Sequence, residues 1–142
     1  MSGTMEKTGA EAWMQHRVSY GETDCMGVLY HAQYLHIFER GRGAFSRSFG
    51  MPYKEFESRG LYLPVREAKC RYRAPARYDD LLNLAIAITA WGRASIAFSY
   101  RLYNEDRTIL LADGFTNTPA LTAQASPWPS LTGSRNILFN QP

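Results

Sequence analysis

Apolar positions follow two different periods along this chain. From about Tyr30 they recur three and four residues apart, with Tyr34, Leu35, Phe38, Gly41, Phe45 and Phe49 on one stripe. That spacing predicts an amphipathic helix. Glu39, Arg40, Arg42, Ser46 and Arg47 fall on its other side. Gly41 sits on the stripe, where glycine costs about 1 kcal/mol against alanine, so another element is expected to pass close to that backbone. Gly50 before Met51-Pro52 is a helix stop.

On either side of the helix the pattern is strand-like. Trp13 to Tyr20, with Trp13, Val18 and Tyr20 among polar residues, predicts a first strand. The next segment, from Tyr20 to His31, carries two glycines and reads as a loop. After a connector that could hold one helical turn (Tyr53 to Arg59), Leu63 to Arg73 predicts another strand, ended by Pro75 and a turn over Ala76 to Asp80. Leu82, Leu84, Ile86 and Ile88 then alternate with Asn83, Ala85, Ala87 and Thr89, a period of two. Gly92-Arg93 suits a two-residue hairpin. Ile96, Phe98, Tyr100 and Leu102 alternate in the next strand, and Thr108 to Leu121 is the last, with a break expected at Gly114.

This order predicts an α+β fold: one strand, a loop, one long helix, then four strands joined mainly by hairpins. Hairpins build an antiparallel sheet, and a lone amphipathic helix must bury its stripe on that sheet. A curved antiparallel sheet wrapped around one long central helix is the hotdog fold. Its open edges offer a route to a dimer. Residues 1–12 read as a lead-in, 13–121 as the domain and 122–142 as a Pro/Ser-rich tail.

Composition narrows the function. At 142 residues, 45% hydrophobic and 20% charged, the chain is one globular domain. A net charge of +3 gives no footprint for nucleic acid. The cations are Arg except Lys7, Lys54 and Lys69, a bias compatible with a phosphorylated small ligand. Cys25 and Cys70 build neither a disulfide framework nor a zinc site. The most apolar stretch, Leu81 to Trp91, is too short for an integral membrane segment, and the first residues lack the core of a signal peptide. A cytoplasmic location and no cofactor are therefore expected.

The chemistry-bearing residues lie between Tyr20 and Tyr34. Asp24 stands in a glycine-containing loop before a helix start, where unpaired N–H groups and the positive end of the dipole lie. Such groups polarise a carbonyl and hold the oxyanion formed on attack, while Asp24 attacks or activates water. Gly27 lets the chain turn between them. An Asp in this position also has a plain structural use, as a turn former.

The run Tyr20-Gly21-Glu22-Thr23-Asp24-Cys25-Met26-Gly27-Val28-Leu29-Tyr30-His31, followed by Tyr34, Phe38 and Glu39, resembles the signature of 4-hydroxybenzoyl-CoA-type hotdog thioesterases. It is most similar to the acyl-CoA thioesterases associated with the Tol–Pal system. The likeness continues through Arg66, Tyr72, Pro75-Ala76-Arg77, Asp79-Asp80 and Gly92-Arg93-Ala94-Ser95. It implies Asp24 as the catalytic aspartate, the His31 backbone N–H as the oxyanion group, Gly27 as the turn glycine, Tyr30 lining the pocket, and a helix glutamate at Glu39. It implies an acyl-CoA substrate, with acyl carrier protein as an open alternative, and a homodimer or homotetramer with sites between subunits. Arg77 and Arg93, at expected turns, are candidate partners for the phosphates of coenzyme A. Cys25-Met26 departs from the small residues usual in the family, which bears on the size of the acyl slot.

Four rivals fit less well. A Cys25–His31 nucleophile pair lacks an orienting third residue. A metal site on His31, His36 and Glu39 meets the five-residue separation of the histidines, which puts them on different helix faces. A hotdog 3-hydroxyacyl thioester dehydratase is disfavoured because Tyr30-His31 is followed by Ala32-Gln33 without a proline. A non-catalytic acyl-CoA sensor would have no use for Asp24.

Overall fold

The computed structural model describes residues 11–48, 61–62, 64–91, 95–119 and 121–122. Strand β1 (Glu11–Arg17) leads through a short 3-10 turn (Tyr20–Glu22) and a loop into α1 (Gln33–Ser48). There follow β2 (Leu61–Tyr62), β3 (Glu67–Tyr72), β4 (Leu81–Trp91), β5 (Ser95–Tyr103), β6 (Leu110–Pro119) and β7 (Leu121–Thr122). Five strands form one antiparallel sheet in the order β1-β4-β5-β6-β3, and β2 pairs with β7 apart from it. The helix packs on the curved sheet, and the fold is the expected hotdog α+β arrangement.

The core lies between α1 and the sheet. Tyr34, Ile37, Phe38 and Phe45 from the helix meet Leu84, Ile86, Phe98, Tyr100 and Leu102. Phe38 stacks flat on Tyr100, 4.2 Å between ring centroids, and Phe45 meets Phe98 edge to face at 5.7 Å. Burying one such side chain stabilises by about 1.5–3 kcal/mol. Gly41 has the close neighbour its position implied: a Cβ there would lie 2.5 Å from Leu84 Cδ2.

Several expectations are corrected. The first strand ends at Arg17, because Val18 turns to pair with Asp79 and Asp80 (Val18 N–H to Asp80 O, 2.9 Å; Asp79 N–H to Val18 O, 2.9 Å). The helix begins at Gln33, not Tyr30, because the Leu29 and Tyr30 N–H groups bond back to Ala76 O and Glu22 O. Leu35 is exposed, while Ile37, Arg42 and Ser46 are buried. Arg42 extends the row Tyr34–Phe38 by four residues, so it lies on the core side despite its charge.

The sheet order also differs from a chain of hairpins. β3 pairs with β6 and β4 with β1 and β5, so the chain crosses the end of the sheet between β3 and β4. Gly114 does not interrupt β6. It stands where a Cβ would lie 2.1 Å from Lys69 O and 3.0 Å from Phe38 Cε2, so the glycine lets β3 and the helix close on β6. The period-two pattern of β4 does not mark a solvated face: Asn83, Ala85 and Ala87 are buried too. They are small or hydrogen-bonded, and Trp13 and Arg101 flank Ala85 in the register. The helix stop at Gly50, the turn at Tyr53 to Arg59, the Gly92-Arg93 hairpin and the tail from 123 lie outside the described residues.

Candidate functional site

The Asp24 loop is built by its own hydrogen bonds. The Glu22 carboxylate accepts from the Ser19 N–H (2.8 Å) and is bonded to His16 Nε2 (2.9 Å), with Arg40 Nη2 3.7 Å away. Burial alone raises the Glu22 carboxyl, but the Ser19 N–H and His16 outweigh it and hold the group below its ordinary 4.5. The Thr23 hydroxyl donates to Tyr20 O at 2.7 Å. A tight turn follows: Gly27 N–H bonds Asp24 O and Asp24 N–H bonds Val28 O, both at 2.9 Å. Gly27 has φ +79°, a conformation that favours glycine.

Asp24 is part-buried. Its Oδ1 accepts from the Met26 N–H at 2.9 Å and, at 3.4 Å, from the Val28 N–H. The turn-forming use is thus real, but it occupies one oxygen. Oδ2 has no hydrogen-bond partner among the described residues. Tyr34, in the first turn of α1, lies within electrostatic reach of Asp24. Burial, then the Cys70 thiol and the Asp24 carboxylate, push the Tyr34 hydroxyl above its ordinary 10.0.

The far end of the loop returns beside its start. Thr23 bridges Leu29, and Tyr30 N–H bonds Glu22 O at 2.9 Å. His31 then stands in a turn two residues before the helix. Its carbonyl accepts from the Tyr72 hydroxyl (2.9 Å) and the Tyr34 N–H (3.4 Å). Its own N–H has no acceptor among the described residues. The imidazole lies 4.4 Å from the Tyr30 ring and 6.4 Å from the Tyr72 ring, centroid to centroid.

A groove of about 330 Å³ runs from this turn along α1. Ala32, Leu35, His36 and Glu39 line the helix side, Val65 and Ala68 the other, and Arg42 with Thr116 close its floor. Arg42 Nη1 donates to Tyr100 Oη at 2.9 Å, which is hydrogen-bonded to Thr116 Oγ1 at 2.6 Å. Glu39 therefore opens onto the groove, whereas Asp24, Gly27, Tyr30 and His31 do not line it; Ala32, next to His31, does.

The other candidate residues are more dispersed. Arg77 bridges Val28 through its backbone, and its N–H bonds Asp80 Oδ2 at 2.9 Å. Its turn thus braces the Asp24 loop. Arg93 lies outside the described residues. No three His, Cys, Asp or Glu side chains group as metal ligands among the described residues, and His36 is separate from any such set. No helix among them is long and apolar enough to cross a membrane. Two features went unread in the sequence: the Tyr72 hydroxyl at His31, and the Arg42–Tyr100–Thr116 string. The second had a signal, since Arg42 is four residues from Phe38; the first depends on β3 reaching the helix start across the fold.

Comparison with known proteins identifies the family. A thioesterase-like superfamily model matches residues 18–130. The acyl-CoA thioester hydrolase YbgC of Escherichia coli O6:H1 is 35% identical over 94 residues, 66% of this chain and 70% of that protein. The 1,4-dihydroxy-2-naphthoyl-CoA hydrolase of Synechococcus elongatus is 31% identical over 123 residues, 84% of this chain and 90% of that one. The crystal structure of the DHNA-CoA thioesterase from Staphylococcus aureus superposes with a TM-score of 0.76 at 25% identity, covering 80% of this chain and 75% of that one. Sheet order, central helix and family match lead to one conclusion: the chain belongs to the thioesterase-like superfamily and is a hotdog-fold thioester hydrolase.

Proposed function

We propose that the protein hydrolyses the thioester of a small or medium acyl-CoA to the free acid and coenzyme A. The observation that carries this reading is the pair of groups on one hydrogen-bonded loop, Asp24 Oδ2 and the His31 N–H, that have no partner among the described residues, the loop leading directly into Ala32 of the groove along α1. The acyl group enters that groove past Leu35 and Val65. The His31 N–H, near the positive end of the helix dipole, holds the carbonyl oxygen as it gains charge. Asp24 Oδ2 either bonds to the carbonyl carbon, expelling the thiolate and leaving a mixed anhydride for water to cleave, or takes a proton from the water that attacks. The reaction needs no resident cofactor. Glu39, facing the groove, orients water or substrate, and Tyr30 covers the entrance.

The coenzyme A phosphates are assigned to Arg77 and Arg93, beside the loop and on the expected hairpin. The active unit is a homodimer or a tetramer built from it, because β3 leaves an open sheet edge next to the site. Similarity to YbgC supports an acyl-CoA substrate.

Asp24→Asn is expected to lower kcat by roughly 10²–10⁴-fold without unfolding the chain. Thiol release is measured over a panel of aliphatic, aromatic and carrier-protein thioesters. Near-normal turnover in the variant removes Asp24 from the mechanism. An enoyl product from a 3-hydroxyacyl thioester, or tight acyl-CoA binding without thiol release, overturns the hydrolase reading. A single turnover in heavy-oxygen water separates the two routes, since label enters Asp24 itself only through the anhydride.

A further inference from the structure

We propose that Tyr72 is a positioning residue for this reaction, its hydroxyl fixing the His31 turn so that the His31 N–H faces the substrate carbonyl. The inference rests on the reading of Asp24 and His31 given above and goes beyond it. Tyr72 is the last residue of β3, far from the loop in sequence, and it donates to His31 O at 2.9 Å. The helix supplies only one other donor to that carbonyl, the Tyr34 N–H at 3.4 Å. That separation lies beyond the usual 2.7–3.2 Å for such bonds, so the helix start alone holds the turn weakly. The peptide that carries the His31 N–H is closed on one side by the Gln33 N–H bonding Tyr30 O at 2.9 Å, and the Tyr72 bond fixes the next peptide, His31–Ala32. A loosened turn points its N–H over a range of directions, and oxyanion stabilisation depends on donors held in place before reaction.

The Tyr72 side chain is itself held. Its ring meets Tyr34 edge to face at 4.8 Å and 84°, and stands edge-on to His31 at 6.4 Å and 86°. Burial, the neighbouring Cys70 thiol and Tyr34 push its hydroxyl up to about 12, so it remains a donor wherever the enzyme operates. β3 is an edge strand, so the tether also links the oxyanion turn to the margin at which a second chain would pair.

Tyr72→Phe removes the donor and keeps the ring. It is expected to lower kcat about tenfold while KM stays within about twofold, since the lost interaction acts on the developing charge. Thermal midpoint and near-UV circular dichroism should match the wild type. A structural role would not move the second readout: the infrared carbonyl stretch of a bound ¹³C-labelled ketone analogue of acyl-CoA, with CH₂ in place of the thioester sulfur. The wild type should shift this band to lower frequency, and Tyr72→Phe should recover most of the shift. Unchanged kcat, or a lower kcat with the band still fully shifted, overturns the role of Tyr72 and leaves the Asp24 reading intact. Absence of a shift in the wild type, or full activity in Asp24→Asn, ends both.

Discussion

The two edges of the sheet each brace one half of the site, and they do so in opposite ways. β1 reaches the Asp24 loop through a closed network: His16 bonds Glu22, and Arg40 Nη2 lies 3.1 Å from His16 Nδ1. On the sheet's outer face its side chains also reach inward over β4, Trp13 to Tyr103 and Arg107 and Glu11 to Arg101. β3 reaches the His31 turn through one hydroxyl, and every residue from Glu67 to Tyr72 except half-buried Cys70 is exposed. An edge strand keeps its outward backbone groups available for another strand, and both β1 and β3 are edges of this sheet. The contrast teaches that, among the described residues, β1 is tied into the sheet by several side chains, whereas β3 is tied to the site by one hydroxyl.

The largest effect is expected where β3 joins the sheet. In Gly114→Ala the new methyl meets Lys69 O, a backbone atom that cannot step aside. The cost should be about 3 kcal/mol, seen as a thermal midpoint lower by roughly 10 °C, with activity falling as Tyr72 moves. Gly41→Ala is the control: its methyl meets the flexible end of Leu84, and alanine's helix preference returns about 1 kcal/mol. Its net loss should be smaller. Equal losses would mean that β3 is not the rigid neighbour described.

Glu22→Gln tests the other brace at an intermediate scale. The Glu22 carboxyl is held below its ordinary 4.5 in the folded chain, chiefly against burial, by the Ser19 N–H and His16. Its contribution is present above the unfolded value and is lost as pH falls through the folded one. The wild type should therefore exceed the variant by about 1–2 kcal/mol at neutral pH, and the gap should narrow as pH drops below 4.5. Activity should fall about tenfold at neutral pH through the displaced Asp24 loop. A gap in stability independent of pH removes the charge of Glu22 from the account.

Much of this was legible in the chain. The helix stripe, the alternation in β4 and β5 and the glycine at Gly27 each follow from a local rule, and the run from Tyr20 to His31 marked the loop. Three features were not. The pairing of β3 with β6 is set by the chain crossing the sheet end, a tertiary choice that local pattern does not encode. Arg42 was placed with the solvated residues because charge outweighed its position four residues after Phe38, and Tyr100 and Thr116 supply the polar company that permits its burial. The helix start slipped from Tyr30 to Gln33 because backbone bonds to Glu22 and Ala76 hold Tyr30 and Leu29 in the loop. The His31 N–H lies outside the helical ladder with either start, because the first four N–H groups of a helix have no partner in it.

The smallest expected effect tests the cover over the β1 side of the sheet. Arg107 holds its guanidinium carbon 3.7 Å from the centroid of the Trp13 ring, and Trp13 is part-exposed, so the pair covers part of the sheet's outer face beside β1. Arg107 has φ +62°, a strain that alanine would share, so Arg107→Ala removes the cation and little else. A cation over an exposed indole contributes about 0.5–1 kcal/mol, and the thermal midpoint should fall by roughly 2–4 °C. Turnover and the molar mass measured by light scattering should not change, because neither half of the site and neither open strand is touched. If Arg107→Ala instead altered the mass, the β1 side of the sheet would be where a second chain meets this one, and β3 would lose that role.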